Sequence, residues 1–192
     1  MAQRVSGYPK RERSLYETPE WVTELLLPHI DPEVGTIWEP ACASGKIVRV
    51  LKQAPFGYGV LGTDLETTYG TTGVNFLNTP CPAGTDGIIT NPPFNRAAEA
   101  FIRMSLRHIE EGKIKFVAML LPVDFDSGKT RRNMFADCPY FSRKLILTRR
   151  ILWFKNPDPK KNNPSQNHAW FVWNDQQNRG ATIKYLFSDG KQ

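Results

Sequence analysis

The sequence places two prolines directly after an apolar segment, in the run Asn91-Pro92-Pro93-Phe94. The proline rings fix the backbone, Pro92 keeps a free carbonyl, and Asn91 adds an amide oxygen as a second acceptor. Two fixed acceptors suit an amino group that is held through both hydrogens, and Phe94 offers a flat face for a planar ring. The alternative is a simple Pro-Pro turn after a strand, because Asn also favours turns for local reasons.

Short apolar strands alternate with helices around this run, and these elements must position it. The patterns predict helices at 18–28, 44–53, 96–109 and 127–135, and strands at 36–39, 58–63, 74–77, 87–90, 116–121, 144–148, 169–173 and 182–187. Strand–helix alternation followed by a strand-rich end predicts an α/β fold. Its sheet should be mostly parallel, with an antiparallel hairpin at the C-terminal edge and helices on both faces.

Polar residues fall at or near the ends of four predicted strands, namely Glu39, Asp64, Asn75 and Asn91. Ligands of open parallel sheets bind at the carboxyl ends of the strands, so these four residues should meet in one crevice. The sequence therefore predicts a ligand site there, assembled from separate parts of the chain.

Charge is distributed unevenly along the 192 residues, whose formal net charge is +6. Residues 1–96 hold 8 basic and 10 acidic residues, a net of −2, whereas residues 97–192 hold 17 and 9, a net of +8. The basic half indicates a polyanionic partner, although a solvated basic surface explains the charge equally well. Residues 1–14 are interpreted as a flexible basic arm, and residues 15–192 as a single domain.

Several classes of protein are disfavoured by composition. Neither a long apolar run nor an apolar signal core is present, which predicts a cytoplasmic protein with no membrane partner. The three cysteines and three histidines lack the spacing of a disulfide framework or a metal site, so no metal is expected and buried thiols are the default.

The ordered motifs of the chain resemble those of S-adenosylmethionine-dependent methyltransferases that act on exocyclic amino groups, especially adenine N6. Tyr16-Glu17-Thr18-Pro19 is similar to the family's Tyr-x-Thr-Pro element, and 39–45 is similar to its acidic-Pro-x-Cys-Gly-x-Gly loop. Asp64 falls where the family presents an acid to the ribose hydroxyls of the cofactor, and Asn75-Phe76-Leu77 falls where the family contacts the cofactor adenine. Asn91-Pro92-Pro93-Phe94 looks like the catalytic motif. This order resembles the gamma-type arrangement of DNA enzymes.

The resemblance implies a Rossmann-like class I methyltransferase sheet with S-adenosylmethionine as cofactor and no separate target-recognition domain. The implied cofactor contacts are Tyr16, Thr18, Pro19, Glu39, Pro40, Ala41, Cys42, Gly45, Asp64, Asn75, Phe76 and Asn91, and the implied catalytic residues are Asn91, Pro92, Pro93 and Phe94. Two departures predict weakened cofactor binding. Ala43 replaces a loop glycine and is strained if its φ is positive, and Asn75 replaces an aspartate.

The implied partner is DNA with a flipped adenine, methylated at N6 by a phage-type or orphan enzyme. Candidate phosphate contacts in the basic half are Lys129, Arg131, Arg132, Arg149, Arg150, Lys155, Lys160 and Lys161. RNA adenine and a protein glutamine amide remain alternatives, as does a catalytically weak nucleic-acid-binding module of the same fold. A homodimer would supply a second basic surface.

Overall fold

Seven strands of the described residues form one sheet in a computed structural model of the chain. They are β1 (Thr36–Glu39), β2 (Gly59–Gly62), β3 (Gly87–Thr90), β4 (Phe116–Pro122), β5 (Phe141–Leu147), β6 (His168–Asn174) and β7 (Thr182–Leu186). The structure describes residues 16–66, 69–93, 96–154, 158, 160, 162, 164–176 and 180–188. The predicted arm, residues 1–14, lies outside them.

The strands lie in the order β2-β1-β3-β4-β6-β5-β7. The first four neighbours in this order are mutually parallel, whereas β6 runs antiparallel to both β4 and β5. The prediction of a mostly parallel sheet with a C-terminal antiparallel hairpin is therefore confirmed. At the edge of the sheet opposite β2 lies β7, which pairs in parallel with β5. The hairpin of β5 and β6 therefore lies one strand inside that edge.

Helices cover both faces of the sheet, as predicted: α1 (Glu20–Glu24), α2 (Lys46–Gln53) and α3 (Arg96–Glu110). The central strands β4 and β6 are buried on both faces, so they consist of nearly continuous apolar residues. One core layer joins α1 and α2 to the sheet through residues such as Val22 and Leu51, and the other joins α3 through Ile102 and Leu106.

Two predicted elements are wrong. The segment 74–77 is not a strand: a 3₁₀ helix forms at Phe76–Asn78, and the Asn75 side chain accepts a hydrogen bond from the Leu77 N–H at its start. The segment 127–135 is not an α-helix, because the chain forms two 3₁₀ helices, Phe125–Ser127 and Lys129–Met134, on either side of Gly128. In both places a local polar or glycine residue favours a short turn over a regular element.

Within the described ranges, no helix has both the length and the apolar character needed to cross a bilayer.

Candidate functional site

The carboxyl ends of β1, β2 and β3 lie side by side, and each has a predicted site residue at or just after it. Because the three strands are parallel and adjacent, Glu39, Asp64 and Asn91 lie at neighbouring strand ends at one edge of the sheet. Asn75 lies at the start of a 3₁₀ helix rather than at the end of a strand.

Asn91 has a defined amide orientation. Its Nδ2 donates a hydrogen bond to the main-chain carbonyl of Tyr16 at 2.9 Å, whereas its buried Oδ1 has no hydrogen-bond partner among the described residues. Leaving a buried acceptor unpaired costs about 1–3 kcal/mol, so such a group is a strong indication of a ligand contact. Pro92 is buried and Pro93 exposed, while Phe94 lies outside the described residues.

The segment containing Tyr16, Thr18 and Pro19 lies beside Asn91, where the resemblance places a cofactor contact. Glu17 of this segment forms an ion pair with Lys46 at 2.9 Å, at the start of α2. The hydrogen bond from Lys46 lowers the pKa of the Glu17 carboxyl. Thr18 is buried, and Pro19 rather than Thr18 is the N-cap of α1, without a side-chain capping bond. The segment is thus tied to the loop that follows β1.

That loop, residues 40–45, is held by its own main-chain donors. The N–H of Ala41 bonds to Glu39 Oε1 at 3.1 Å, and the N–H of Cys42 bonds to the carbonyl of Thr63 at 3.0 Å. Ala43 has φ = 47°, so the condition for strain at this alanine is met. Gly45 has φ = 80°, and a Cβ there would collide with the ring of Tyr69.

Replacing Ala43 with glycine is expected to raise the free energy of unfolding by about 0.5–1 kcal/mol. An L-residue with a Cβ pays about 1–2 kcal/mol in the left-handed region, and the greater freedom of glycine in the unfolded chain offsets part of that gain. Urea unfolding measures the change. Ala41→Gly is the matched control: Ala41 has no positive φ, so stability should fall there, and a fall at position 43 as well would contradict the strain.

Asp64, the predicted ribose ligand, accepts main-chain hydrogen bonds at both carboxylate oxygens. Oδ2 accepts from the N–H of Ala43 and Oδ1 from the N–H of Glu66, each at 2.9 Å. A carboxylate has about four lone-pair sites, so Asp64 keeps acceptor capacity for a ligand while it holds the Ala43 turn in place.

Glu39 is fully buried at the end of β1. Its Oε1 accepts from Thr90 Oγ1 at 2.5 Å and from the N–H of Ala41, whereas Oε2 is buried with no partner among the described residues. Burial raises the pKa of Glu39 to about 8; the bonds from Thr90 and Ala41 oppose this rise, and the nearby charge of Asp64 adds to it. Glu39 therefore links the 40–45 loop to β3, whose last residue precedes Asn91.

Asn75 and Phe76, the predicted adenine contacts, both have local structural roles. The Asn75 Oδ1 accepts from the Leu77 N–H at 3.1 Å. Phe76 is 2% exposed and packs against Trp38 and Phe101, with ring centroids 5.0 and 4.6 Å away. The Phe76 ring belongs to the core, which leaves only its main chain for the predicted contact.

Four further residues belong to this edge, although the motifs did not select them. Thr90 binds Glu39, Tyr69 covers Gly45, and Trp153 packs between Tyr16 and His168. His168 is 1% exposed, and burial lowers its pKa to about 4. Apart from Thr90, which directly precedes Asn91, nothing in the sequence pattern assigns these residues to the site.

The predicted phosphate contacts in the segment after β4 differ in exposure and in their bonds to the protein. Lys129 is exposed, whereas Arg131 donates to Glu99 at 2.8 Å and to the carbonyl of Phe125 at 2.9 Å, with its guanidinium 3.9 Å from the Phe125 ring centroid. Arg132 forms an ion pair with Asp137 at 2.6 Å and is 71% exposed. Arg131 is therefore a structural residue in this conformation.

Arg131→Ala is expected to lower the free energy of unfolding by about 1–2 kcal/mol. It removes a charge-assisted hydrogen bond, a bond to a main-chain carbonyl and a cation–π contact, all partly screened by solvent. Chemical denaturation compares it with Lys129→Ala, which removes an exposed cation of the same segment and should stay within about 0.5 kcal/mol of wild type. Equal effects of the two substitutions would show that Arg131 does not anchor the segment.

The remaining predicted phosphate contacts follow β5. Arg149 lies over the ring of Trp21 and donates to Ser188, while Arg150 donates to Asn167 at 2.7 Å and to the carbonyl of Pro164 at 3.1 Å. Lys160 is exposed, and Lys155 and Lys161 lie outside the described residues. Arg149 and Arg150 thus hold the segment that follows β5 in contact with other parts of the protein.

Cys42 and Cys138 are buried free thiols, and Cys81 is a partly buried one. The part of the chain that the structure describes holds no group of three or more His, Cys, Asp or Glu residues that could bind a metal.

No protein-family model matches the chain, and no curated protein matches it either. Solved structures do match. One is described as the modification subunit of a type I restriction enzyme from Vibrio vulnificus YJ016, with a TM-score of 0.59 and 14% identity, covering 91% of this chain and 48% of that subunit. The chain thus spans about half the length of that subunit.

Two archaeal proteins are similar over most of their own length. A protein described as an RNA methyltransferase from Pyrococcus horikoshii has a TM-score of 0.57 and 12% identity, over 81% of this chain and 82% of that one. A methyltransferase from Pyrococcus furiosus has a TM-score of 0.54 and 12% identity, over 88% of each. At these identities the likeness establishes a shared Rossmann-like methyltransferase fold.

Proposed function

We propose that this chain is an S-adenosylmethionine-dependent methyltransferase that methylates the N6 amino group of adenine in DNA. One observation carries the proposal: the Asn91 amide is fixed by the Tyr16 carbonyl so that a buried acceptor, unpaired among the residues the structure describes, stands next to Pro92. An acceptor of this kind matches an amino group of a substrate. The fold supports the assignment, because this edge of the sheet is where such folds bind ligands.

The chain offers a set of groups that suits the cofactor. Glu39 carries a second buried oxygen that is unpartnered within the described part of the chain, and Asp64 and the 40–45 loop surround the end of β1. We assign the binding role to the residues that the resemblance indicates: Tyr16, Thr18, Pro19, Glu39, Pro40, Ala41, Cys42, Gly45, Asp64, Asn75, Phe76 and Asn91. When bound, S-adenosylmethionine supplies a methyl group activated by its positively charged sulfur.

Asn91 and Pro92 perform the positioning chemistry. Asn91 Oδ1 and the carbonyl of Pro92 accept the two amino hydrogens, which localises the nitrogen lone pair and stabilises the positive charge that develops on nitrogen. The nitrogen–methyl bond forms as the sulfur–methyl bond breaks, and the bonding pair stays on sulfur to give a neutral thioether. The methylated nitrogen then loses a proton to solvent. Alignment alone is worth several kcal/mol of the barrier.

A duplex substrate must release its adenine from the base stack before transfer, and Phe94 is assigned to stack on the extruded ring. Of the predicted phosphate contacts that the structure describes, three are exposed and can reach DNA phosphates: Lys129, Arg132 and Lys160. Together they would supply part of the salt-dependent affinity of the basic half.

RNA adenine and a protein glutamine amide present an amino group of the same kind, so they are the alternative substrates. A weak or inactive nucleic-acid-binding module is a second candidate function, which the strained Ala43 and the Tyr69 ring against Gly45 favour. Calorimetry with S-adenosylmethionine separates it from an enzyme, because an inactive module is expected to show no heat of binding.

The deciding experiment offers labelled S-adenosylmethionine to duplex DNA, single-stranded DNA, RNA and protein in parallel. Nucleoside analysis should place the label on N6-methyladenine from DNA. Label that appears only in RNA, only in protein or on cytosine would overturn the substrate assignment, and binding of the cofactor without any transfer would overturn the enzymatic one.

A further inference from the structure

The Asn91 amide has two chemically different ends, and the structure fixes which end faces which side. Nδ2 donates to the Tyr16 carbonyl, a residue 75 positions earlier in the chain, so Oδ1 must face the opposite side. Were that carbonyl absent, either end of the amide could take the inner position. Only one of the two orientations offers an acceptor to an amino group.

Tyr16 is in turn held by aromatic packing from the other half of the chain. Its ring centroid lies 5.6 Å from that of Trp153, edge to face at 86°, and 5.3 Å from that of Phe154. Trp153 also packs edge to face against His168 at 5.2 Å, and His168 pairs with Pro122 at the carboxyl end of β4. A continuous set of contacts thus connects the sheet to the Tyr16 carbonyl.

We infer that Tyr16, held in place by Trp153 and Phe154, is a positioning residue whose main-chain carbonyl sets the orientation of the Asn91 amide. The inference rests on the proposed methyl transfer for its consequence, since the orientation decides whether Oδ1 can accept from the substrate. It also explains why position 91 needs an amide. An aspartate would set a carboxylate oxygen against the Tyr16 carbonyl, and two acceptors repel.

Two measurements test the inference in the full chain. The first follows hydrogen exchange of the Asn91 side-chain amide by nitrogen-15 NMR, with the resonance assigned from its loss in Asn91→Ala. In wild type the bond to a carbonyl should protect these hydrogens, and Trp153→Ala should remove most of the protection. Trp153→Phe keeps an aromatic ring against Tyr16 and should restore it.

The second measurement is the single-turnover rate of methyl transfer at saturating cofactor and DNA. Misplacement of a catalytic group by about 1 Å can cost on the order of 100-fold, and Trp153→Ala should lose a comparable factor. Its dissociation constant for S-adenosylmethionine should change much less. Trp153→Phe should recover most of the rate, and Phe56→Ala, which removes an aromatic side chain that is 86% exposed, should match wild type in both measurements.

Asn91→Asp decides the matter if Trp153→Ala does not fold. It leaves the packing of Trp153 intact and keeps an acceptor oxygen, so retention of the wild-type rate would overturn the inference. So would unchanged amide protection in a folded Trp153→Ala variant. If wild type transfers methyl to no substrate, the proposed function fails, but the exchange measurement still tests the positioning role separately.

Discussion

Asn91→Ala is expected to slow methyl transfer to DNA by about two to three orders of magnitude at saturating cofactor and substrate. The substitution removes the buried Oδ1, which has no partner among the described residues, and with it one of the two acceptors that the proposed function assigns to the charge developing on the amino nitrogen. It also removes the bond to the Tyr16 carbonyl, which leaves that segment less restrained. Single-turnover transfer of labelled methyl, with calorimetry for the cofactor, measures both effects.

Cofactor affinity should fall much less than the rate, because Asn91 acts on the amino group and contributes only one of many contacts to the cofactor. Asn133→Ala is the matched control: it removes an exposed asparagine outside the site and should leave both quantities unchanged. A rate within about threefold of wild type for Asn91→Ala would refute the role assigned to its amide.

The parts of the site predicted correctly are those that strand order alone determines. Glu39 ends its strand, Asp64 and Asn91 come within two residues of the ends of theirs, and parallel neighbours bring such residues to one edge whatever the side-chain details. The positive φ of Ala43 was expected only as a condition, because the resemblance places a glycine at that position.

The parts that could not be predicted depend on contacts between distant residues. Segment 74–77 has apolar residues typical of a strand, but the Asn75 side chain bonds to the Leu77 N–H and a 3₁₀ helix forms instead. Arg131 looks like any cation of a basic run, yet Glu99, 32 residues away, holds it against the protein. Charge is visible in a sequence, whereas the partner of a charge is not.

The contacts of Tyr16 illustrate the same limit within the site. Its motif indicated a cofactor contact, but the bond from Asn91 uses the main chain, which any residue type could supply. Trp153, which holds this ring, follows β5 in a segment whose composition alone is typical of core packing. Only the fold shows that Trp153 lies between Tyr16 and His168.

Wild type is expected to lose stability relative to Glu39→Gln as the pH rises from about 6.5 to 8. Burial raises the folded-state pKa of Glu39 to about 8, against about 4.3 for an unfolded chain. Between these values the folded protein holds a proton that the unfolded chain has lost, so stability falls as pH rises through the folded-state pKa. The slope reaches about 1.4 kcal/mol per pH unit, or about 2 kcal/mol over this window.

The histidines act in the opposite direction. Burial lowers the pKa of His168 to about 4 and also lowers those of His29 and His108, so their effect raises stability with pH until the pH passes the unfolded-state histidine pKa of about 6.5. Wild type and Glu39→Gln share these histidines, so the difference between their free energies of unfolding in urea at pH 6.5, 7.0, 7.5 and 8.0 isolates Glu39. Glu24→Gln, at an exposed position of α1, should decline in parallel with wild type.

If the free energy of unfolding changes with pH in wild type as it does in Glu39→Gln, Glu39 is ionised when buried. Its unpartnered Oε2 would then carry charge without compensation from the described residues, which is the arrangement that burial disfavours most strongly. If wild type and Glu24→Gln both lose stability relative to Glu39→Gln as the pH rises, the carboxyl at the end of β1 is neutral. In that state Glu39 accepts from Thr90 and Ala41 through Oε1 and keeps a proton available at the 40–45 loop.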